Sequence, residues 1–437
     1  MAPSSRPSAF ILMGGFGAIC RNSRYLAELS ARGLRILLIT PGMWRAEVAA
    51  ARADPEHPAY GVADVAFVDG SVDSEGAYVA GSVAAASRWR GEYDIVGVTS
   101  VSEVLVEPAA LLADALGLPG PGANAGRICR SKYLQRWYLH EWAPASMTLP
   151  AGEHGTLTAG QVRFPAVVKP AGRHSSDGVV AVNTWDELRD CLASYPEHET
   201  VLVEERISGQ EYSVESLVQG GRTVFASVTR KETTESSTSR FVELAHCVPN
   251  EREEVDDKLL AANAEMLTRL SFGDGITHSE WRVTEDGRVY LMEVAARAPG
   301  DGVLALYQLA TGEAMEPVIT RIALGEPAAY PPPRRHTRQV YLPHTEGVLT
   351  DVTVDWPGVD PAWIADTGVW PDIEAGSPDD PPTLRAVLVL QHRGARLAPL
   401  NSSDDRSVTF VVDAATPREL DALEARVRAA VTVDVRG

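Results

Sequence analysis

Lysine is scarce in this chain: of forty basic residues only Lys132, Lys169, Lys231 and Lys258 are lysines, and the rest are arginine. Positive charge as a whole is in deficit, with fifty-nine acidic residues giving a net charge of −19 over 437 residues. That balance argues against general attraction to nucleic acid or to an anionic membrane face, so an anionic ligand must be held by a local cluster of cations. Long apolar runs are missing too, none approaching the roughly 18 residues of a membrane span. The apolar stretch Ala9 to Ile19 carries glycines and runs straight into a helix-like segment, which fits a first strand rather than a secretory signal. The four cysteines (Cys20, Cys129, Cys191, Cys247) are scattered without a C-x-x-C pair, which leaves a disulfide framework or zinc cluster without support and makes a reducing cytoplasm the expected setting. In a chain that writes its positive charge as arginine, a retained lysine marks a place where a compact ammonium on a flexible stem is wanted.

What is there reads as three regions. Residues 1–123 alternate strand and helix (AFILM, a loop Gly14-Gly15-Phe16-Gly17, a helix from about Asn22, LRILLIT, later DIVGVT), a small Rossmann-like parallel α/β domain. Its glycine loop lacks the third glycine of a dinucleotide fingerprint, and the next strand ends without an acidic ribose ligand, so a structural tight turn or a ligand-facing loop without NAD is expected there. Residues 124–320 mix helices with hairpin strands as an α+β region, and residues 321–437 form a β-rich cap ending in an amphipathic helix from Pro417 to Val431.

The most informative segment is HSEWRVTEDGRVYLMEVAAR. A two-residue turn at Asp286-Gly287 places Glu280 directly opposite Glu293, with Trp281 against Met292 and Val283 against Tyr290 on the other face. Opposed carboxylates are destabilising unless a cation joins them. Oxygen-only ligands without cysteine favour Mg²⁺, which usually completes its shell with phosphates. A cradle for phosphate is offered by FPAVVKPAGRHSSDGVVAV: Lys169 ends an apolar strand and a Gly/Ser loop (Gly172, Ser175, Ser176, Gly178) follows. The P-loop motif G-x-x-x-x-G-K-[ST] is nowhere in the chain. In VLVEERISGQE, a strand end whose backbone offers one donor and one acceptor can read an adenine edge, and Glu211 can accept from ribose hydroxyls.

Taken in order, Ser131-Lys132, FPAVVKP with its SSDG loop, VEERISGQE and the Glu280/Glu293 pair resemble the ATP-grasp superfamily of carboxylate–amine ligases. FVELAHCVP, HSEWR and ARAPGD resemble, within it, the branch of bacterial L-amino acid ligases that make dipeptides in secondary metabolism. The resemblance implies a pre-ATP-grasp domain (1–123), an ATP-grasp domain (124–320, with a lid about 130–200 and a hinge about 201–211) and a C-terminal α+β cap (321–437). It implies that Lys132 and Lys169 bind ATP phosphates under the loop Ser175 to Gly178. Glu204, the backbone at Glu205 and Ile207, and Glu211 would hold adenosine, and Glu280 and Glu293 would bind Mg²⁺. It further implies that Lys231 reaches the γ-phosphate side, that Arg297 clamps the acyl phosphate and the oxyanion, and that Glu243, His246, His278 and Asp301 lie near the substrate amino acid. The family's usual E-x-N-x-R reads here Glu293-Val294-Ala295-Ala296-Arg297, so an amide ligand is missing and one Mg²⁺ is better founded than two.

The implied reaction passes a carboxylate oxygen to the γ-phosphoryl of ATP and lets an amine displace phosphate, with small molecules as partners and a homodimer left open. Loading an amino acid onto a carrier protein, carboxylating an amine, and ATP binding without catalysis are the alternatives.

Overall fold

The structure is a computed structural model that describes residues 6–236 and 238–437. The opening alternation of apolar strand and helix folds as β1 (Ser8–Met13), β2 (Arg35–Pro41), β3 (Asp64–Val68) and β4 (Asp94–Ser100), a parallel sheet in the order β3-β2-β1-β4. Strands β1 and β2 are buried almost throughout, as near-continuous apolar runs in a parallel sheet should be. The glycine loop turns the chain from β1 into the helix Phe16–Arg21. A Cβ on Gly17 would stand 3.0 Å from the ring of Trp44, which packs over the loop.

A second sheet, antiparallel and ordered β5-β8-β6-β7, comprises β5 (Ser146–Leu149), β6 (Ala166–Pro170), β7 (Val180–Val182) and β8 (Val201–Glu205). Lys169 lies near the end of β6, and the loop to β7 carries Ser175 and Ser176 in the left-handed region (φ 58° and 56°) beside Gly178 (φ 73°). The helix Lys132–Tyr138 lies against β13 and, through Arg136, reaches Glu204 of β8.

The largest sheet runs β13-β12-β9-β10-β11-β14-β19-β17-β16. Its first five strands are β9 (Gln210–Gln219), β10 (Arg222–Thr233), β11 (Glu243–Val248), β12 (Gly275–Val283) and β13 (Val289–Ala295). The remaining four are β14 (His336–Leu342), β16 (Pro361–Trp363), β17 (Thr383–Val389) and β19 (Val408–Ala414). The expected cap therefore does not merely pack on the middle region. Pairing of β11 with β14 (Ala245 opposite Val340, His246 opposite Gln339) makes both parts of one sheet. A small sheet of β15 (Gly347–Val354), β18 (Arg396–Leu397) and β20 (Val431–Arg436) and the helix Pro417–Ala430 complete the C-terminal part. That helix starts at a reciprocal cap, Thr416 with Glu419.

The β12–β13 hairpin corrects the expected register. Its loop is three residues long, Glu285-Asp286-Gly287, with the Gly287 N–H donating to Thr284 O at 2.8 Å and Gly287 left-handed (φ 77°). Trp281 pairs with Leu291 and Val283 with Val289, not with Met292 and Tyr290. A bulge at Met292 then restores the expected opposition of Glu280 and Glu293.

Candidate active site

Period-two alternation sorts the central strands into two chemistries. Tyr212 and Val214 of β9, Val228 of β10, Trp281 of β12 and Val294 of β13 share a buried core with the helix Glu253–Arg269. The opposite face carries Glu211, Ser213 and Glu215 of β9, paired directly with Arg282, Glu280 and His278 of β12, while Lys231 of β10 stands opposite His246 of β11. One face of one sheet thus gathers most of the ionisable residues singled out in the sequence.

The charges on this face are ordered. Lys231, 1 % exposed, places Nζ 2.5 Å from Glu243 Oε1 and 2.7 Å from Glu280 Oε1. Burial lowers its pKa, but Glu243 and Glu280 outweigh that and hold it well above the ordinary lysine value. Burial raises the Glu280 carboxyl, yet Lys231 and His278 bring it far below the usual range. Glu293 meets a different lysine, Lys132, at 3.0 Å. Both glutamates keep about a quarter of the side chain exposed (26 % each) while Lys132 and Lys231 are buried, so the carboxylates form the open edge of the cluster.

Two hard oxygen donors at the open edge, each with one oxygen engaged by a cation, fit a magnesium ion. Ala295 shares their face, and the residue directly opposite it is His278. His278 donates from Nδ1 to Glu215 at 2.8 Å and from Nε2 toward Glu280 at 3.3 Å, so its ring presents donors instead of a metal ligand. Burial opposes its protonation, but the bonds to Glu215 and Glu280 raise its pKa. Glu215 is fully buried and also accepts from Ser213, Thr229 and Tyr307.

Lys169 stands elsewhere in the cluster. Its Nζ lies 2.7 Å from Glu204 Oε2 and 3.4 Å from Met292 O, the carbonyl turned out at the bulge. Burial, then the neighbouring Arg136, lowers its pKa to about 8 despite Glu204. Glu204, expected at adenosine, is 4 % exposed and is gripped by Arg136 at 2.6 and 3.2 Å as well as by Lys169. Its place is that of a buried counter-ion. At the hinge, the Glu205 N–H donates to Ala145 O, and Ile207 O accepts from Arg282, whose other nitrogen holds Glu211 at 2.8 Å. Glu205, Ile207 and Ser208 form one wall of an open cleft of about 560 Å³ whose other wall includes Thr284, Glu285 and Tyr290.

Glu243 accepts from His246 Nε2 at 2.9 Å, and Asp301 lies 3.9 Å from the same nitrogen. These three form the one metal-type cluster of at least three such side chains among the described residues. Lys231 on Glu243 and Arg406 on Asp301 already balance its charge. Arg297 donates from Nε to Glu103 at 2.7 Å and from Nη1 to Ala298 O. Ser176 donates to Phe241 O, and Ser175 O accepts from the Ser403 N–H.

Four partners were not singled out in the sequence. Arg136 sits four residues after Lys132 on one helix, a spacing that signals a shared face. Glu103 follows the carboxyl end of β4, where open parallel sheets bind ligands. Glu215 lies four residues beyond Glu211 on β9, with the same strand parity. Nothing local marks Arg406.

Residues 162–305 match the model of the ATP-grasp domain family. The chain carries an ATP-grasp domain. The match takes in every residue singled out above as a site residue in sequence except Lys132. Over its full length the chain has the fold of the L-amino acid ligase from Bacillus licheniformis, at 18 % identity and TM-score 0.74, covering 99 % of this chain and 100 % of that one. Among curated sequences it is 28 % identical over 152 residues to a D-alanine–D-alanine ligase of Aquifex aeolicus, covering 35 % of this chain and 52 % of that protein. It is also 28 % identical over 256 residues to an uncharacterized protein, y4rH, of Sinorhizobium fredii, covering 55 % and 51 %. The ATP-grasp chain spans about half the length of these curated relatives. No helix among the described residues is long and apolar enough to cross a membrane.

Proposed function

We propose that the protein is an ATP-dependent carboxylate–amine ligase that activates an amino acid as its acyl phosphate and joins it to the amine of a second metabolite, releasing ADP and phosphate. The observation that carries this reading is the opposition of Glu280 and Glu293, open at one edge and flanked by Lys132, Lys231 and Lys169. Two like charges held together amid buried cations suit a site where a third anion must be neutralised.

In this reading adenine lies along the hinge, accepting from the Ile207 N–H and donating to the Glu205 carbonyl, with Glu211 held by Arg282 toward the ribose. Lys132 and Lys169 attract the phosphates, and the Ser175–Gly178 loop covers them. Glu280 and Glu293 would hold Mg²⁺, which when bound offsets the charge that builds as two anions meet. The substrate carboxylate forms its bond to the γ-phosphorus as the bond to ADP breaks. The amine then attacks the acyl carbon, the carbonyl electrons move onto oxygen beside Arg297, and as they return the carbon–oxygen bond to phosphate breaks, phosphate leaves with the electron pair and the nitrogen gives up a proton to leave the amide. Glu243, His246 and Asp301 line this end of the face, where the carboxylate oxygens can accept hydrogen bonds from an ammonium group. A place in secondary metabolism belongs to the same reading, through the resemblance of FVELAHCVP, HSEWR and ARAPGD to the L-amino acid ligase branch.

The test is ADP and phosphate release from Mg·ATP with the twenty amino acids, singly and in pairs, with products weighed by mass spectrometry. Release that requires two amino acids and yields their condensed mass supports the reading. Release with bicarbonate or a carrier protein alone would move the activity to another reaction, and no amino-acid-dependent release at all would sink it.

A further inference from the structure

Arg406 reaches the active-site face from the C-terminal part of the chain. It is 5 % exposed, lies over the ring of Tyr341 at 3.8 Å, and donates to both oxygens of Asp301 at 2.6 and 3.1 Å and to the Glu243 carbonyl at 3.3 Å. Asp301 itself adopts a left-handed backbone (φ 53°), a conformation that persists in a non-glycine residue only where its surroundings hold it. The remaining nitrogen of Arg406, Nε, donates to Ser403 O at 2.8 Å, within a short 3-10 turn capped reciprocally by Ser402 and Asp405. From that turn the Ser403 N–H donates to Ser175 O in the phosphate loop at 3.2 Å. One guanidinium therefore connects the amino-acid end of the site to the turn on which the phosphate loop rests.

We propose that Arg406 is a positioning residue that couples the two: through Ser403 it seats the Ser175–Gly178 loop, and through Asp301 and Glu243 it holds the amino-acid end in register with that loop. This rests on the ligase reading above. An acyl phosphate formed under a seated loop meets the amine. Under an unseated loop water attacks the acyl carbon, the carbon–phosphate oxygen bond breaks, and free carboxylate and phosphate leave with ATP consumed and no amide made.

Ser403→Pro isolates the contact. Ser403 is the first residue of its turn and follows an extended Ser402 (φ −141°, ψ 169°), the setting in which proline fits, so the substitution removes the N–H and spares the turn. Hydrogen exchange of the 173–178 segment, read on full-length protein, is expected to quicken about fivefold in Ser403→Pro, the ratio set by loss of one net hydrogen bond, and at least as much in Arg406→Gln. Phosphate released per amide formed should rise several-fold in both, with the KM for ATP moved less than that ratio. Unchanged exchange and unchanged stoichiometry in a folded Ser403→Pro protein would overturn the coupling, whatever Arg406→Gln does. Should the wild type make no amide, the ligase reading fails by itself and the exchange experiment still decides whether Ser403 seats the loop.

Discussion

Glu280 and Glu293 stand directly opposite each other across β12 and β13, yet each is neutralised by its own lysine, Glu280 by Lys231 and Glu293 by Lys132. The pair is thus poised with its charges balanced from behind and its open edge toward solvent. Glu293→Gln keeps shape and one acceptor but removes the charge. Mg·ATP turnover should fall by well over the roughly 10–100-fold that loss of an outer-shell partner costs, while circular dichroism and melting stay close to wild type. Wild-type turnover in that variant would remove the pair from the chemistry.

Lys231→Met tests the other side of the same arrangement. It strands Glu243 and Glu280 without their shared cation, and breaking a buried pair in this way costs about 3–5 kcal/mol. Urea unfolding should show the loss directly. Adding the Glu243→Gln change should recover part of it, because one stranded charge is then gone.

The activity should carry the signature of Lys169. Burial and Arg136 leave it with a pKa of about 8, so it is cationic below that pH and neutral above it. The kcat/KM for ATP, which reports the free enzyme, is expected to decline as pH rises through about 8. Lys169→Arg keeps its charge throughout and should move that decline to higher pH. A profile identical in both proteins would take Lys169 away from the phosphates.

Glu204 makes a prediction about acid. Burial raises its carboxyl, but Arg136 and Lys169 pull it from 4.5 to about 2. A depressed carboxylate contributes stability above its unfolded value, and that contribution fades as pH falls from about 4.5 toward 2. Glu204→Gln should therefore cost about 3–5 kcal/mol near neutrality, with the gap to wild type closing as pH drops through that window. A gap independent of pH would mean the ion pairs are not its source.

At the hinge, a Cβ on Gly209 would stand 2.3 Å from the Val283 carbonyl oxygen, backbone against backbone. Gly209→Ala must push the 205–209 segment away from β12, and overpacking of this kind costs about 1–3 kcal/mol. The KM for ATP should rise more than the KM for the amino acid. The reverse order would place adenine away from this hinge.

How far the site was legible follows from where its information sits. The opposition of Glu280 and Glu293 was readable because strand parity is a local property, but it was reached through two departures that cancel. The loop is one residue longer than a two-residue turn, which shifts Trp281 onto Leu291, and the Met292 bulge shifts the register back. Glu204 was expected at adenosine and its role as a counter-ion was illegible, because Arg136 lies 68 positions away and only packing brings the two together.

By itself the sequence determined what repeats over a few residues: the apolar runs of the parallel sheet, the alternation that separates Trp281 and Val294 from Glu280 and Glu293, and the glycines and serines of the β6–β7 loop. Those follow from backbone geometry and from removal of apolar surface from water, which act on neighbours along the chain. Tertiary structure alone decided the rest. Glu103 meets Arg297 across 194 positions, Arg406 meets Asp301 across 105, and β11 accepts β14 as its neighbour. Each of these is fixed by the need of a buried charge or strand edge for a partner, and that need names the kind of partner without saying where in the chain it will be found.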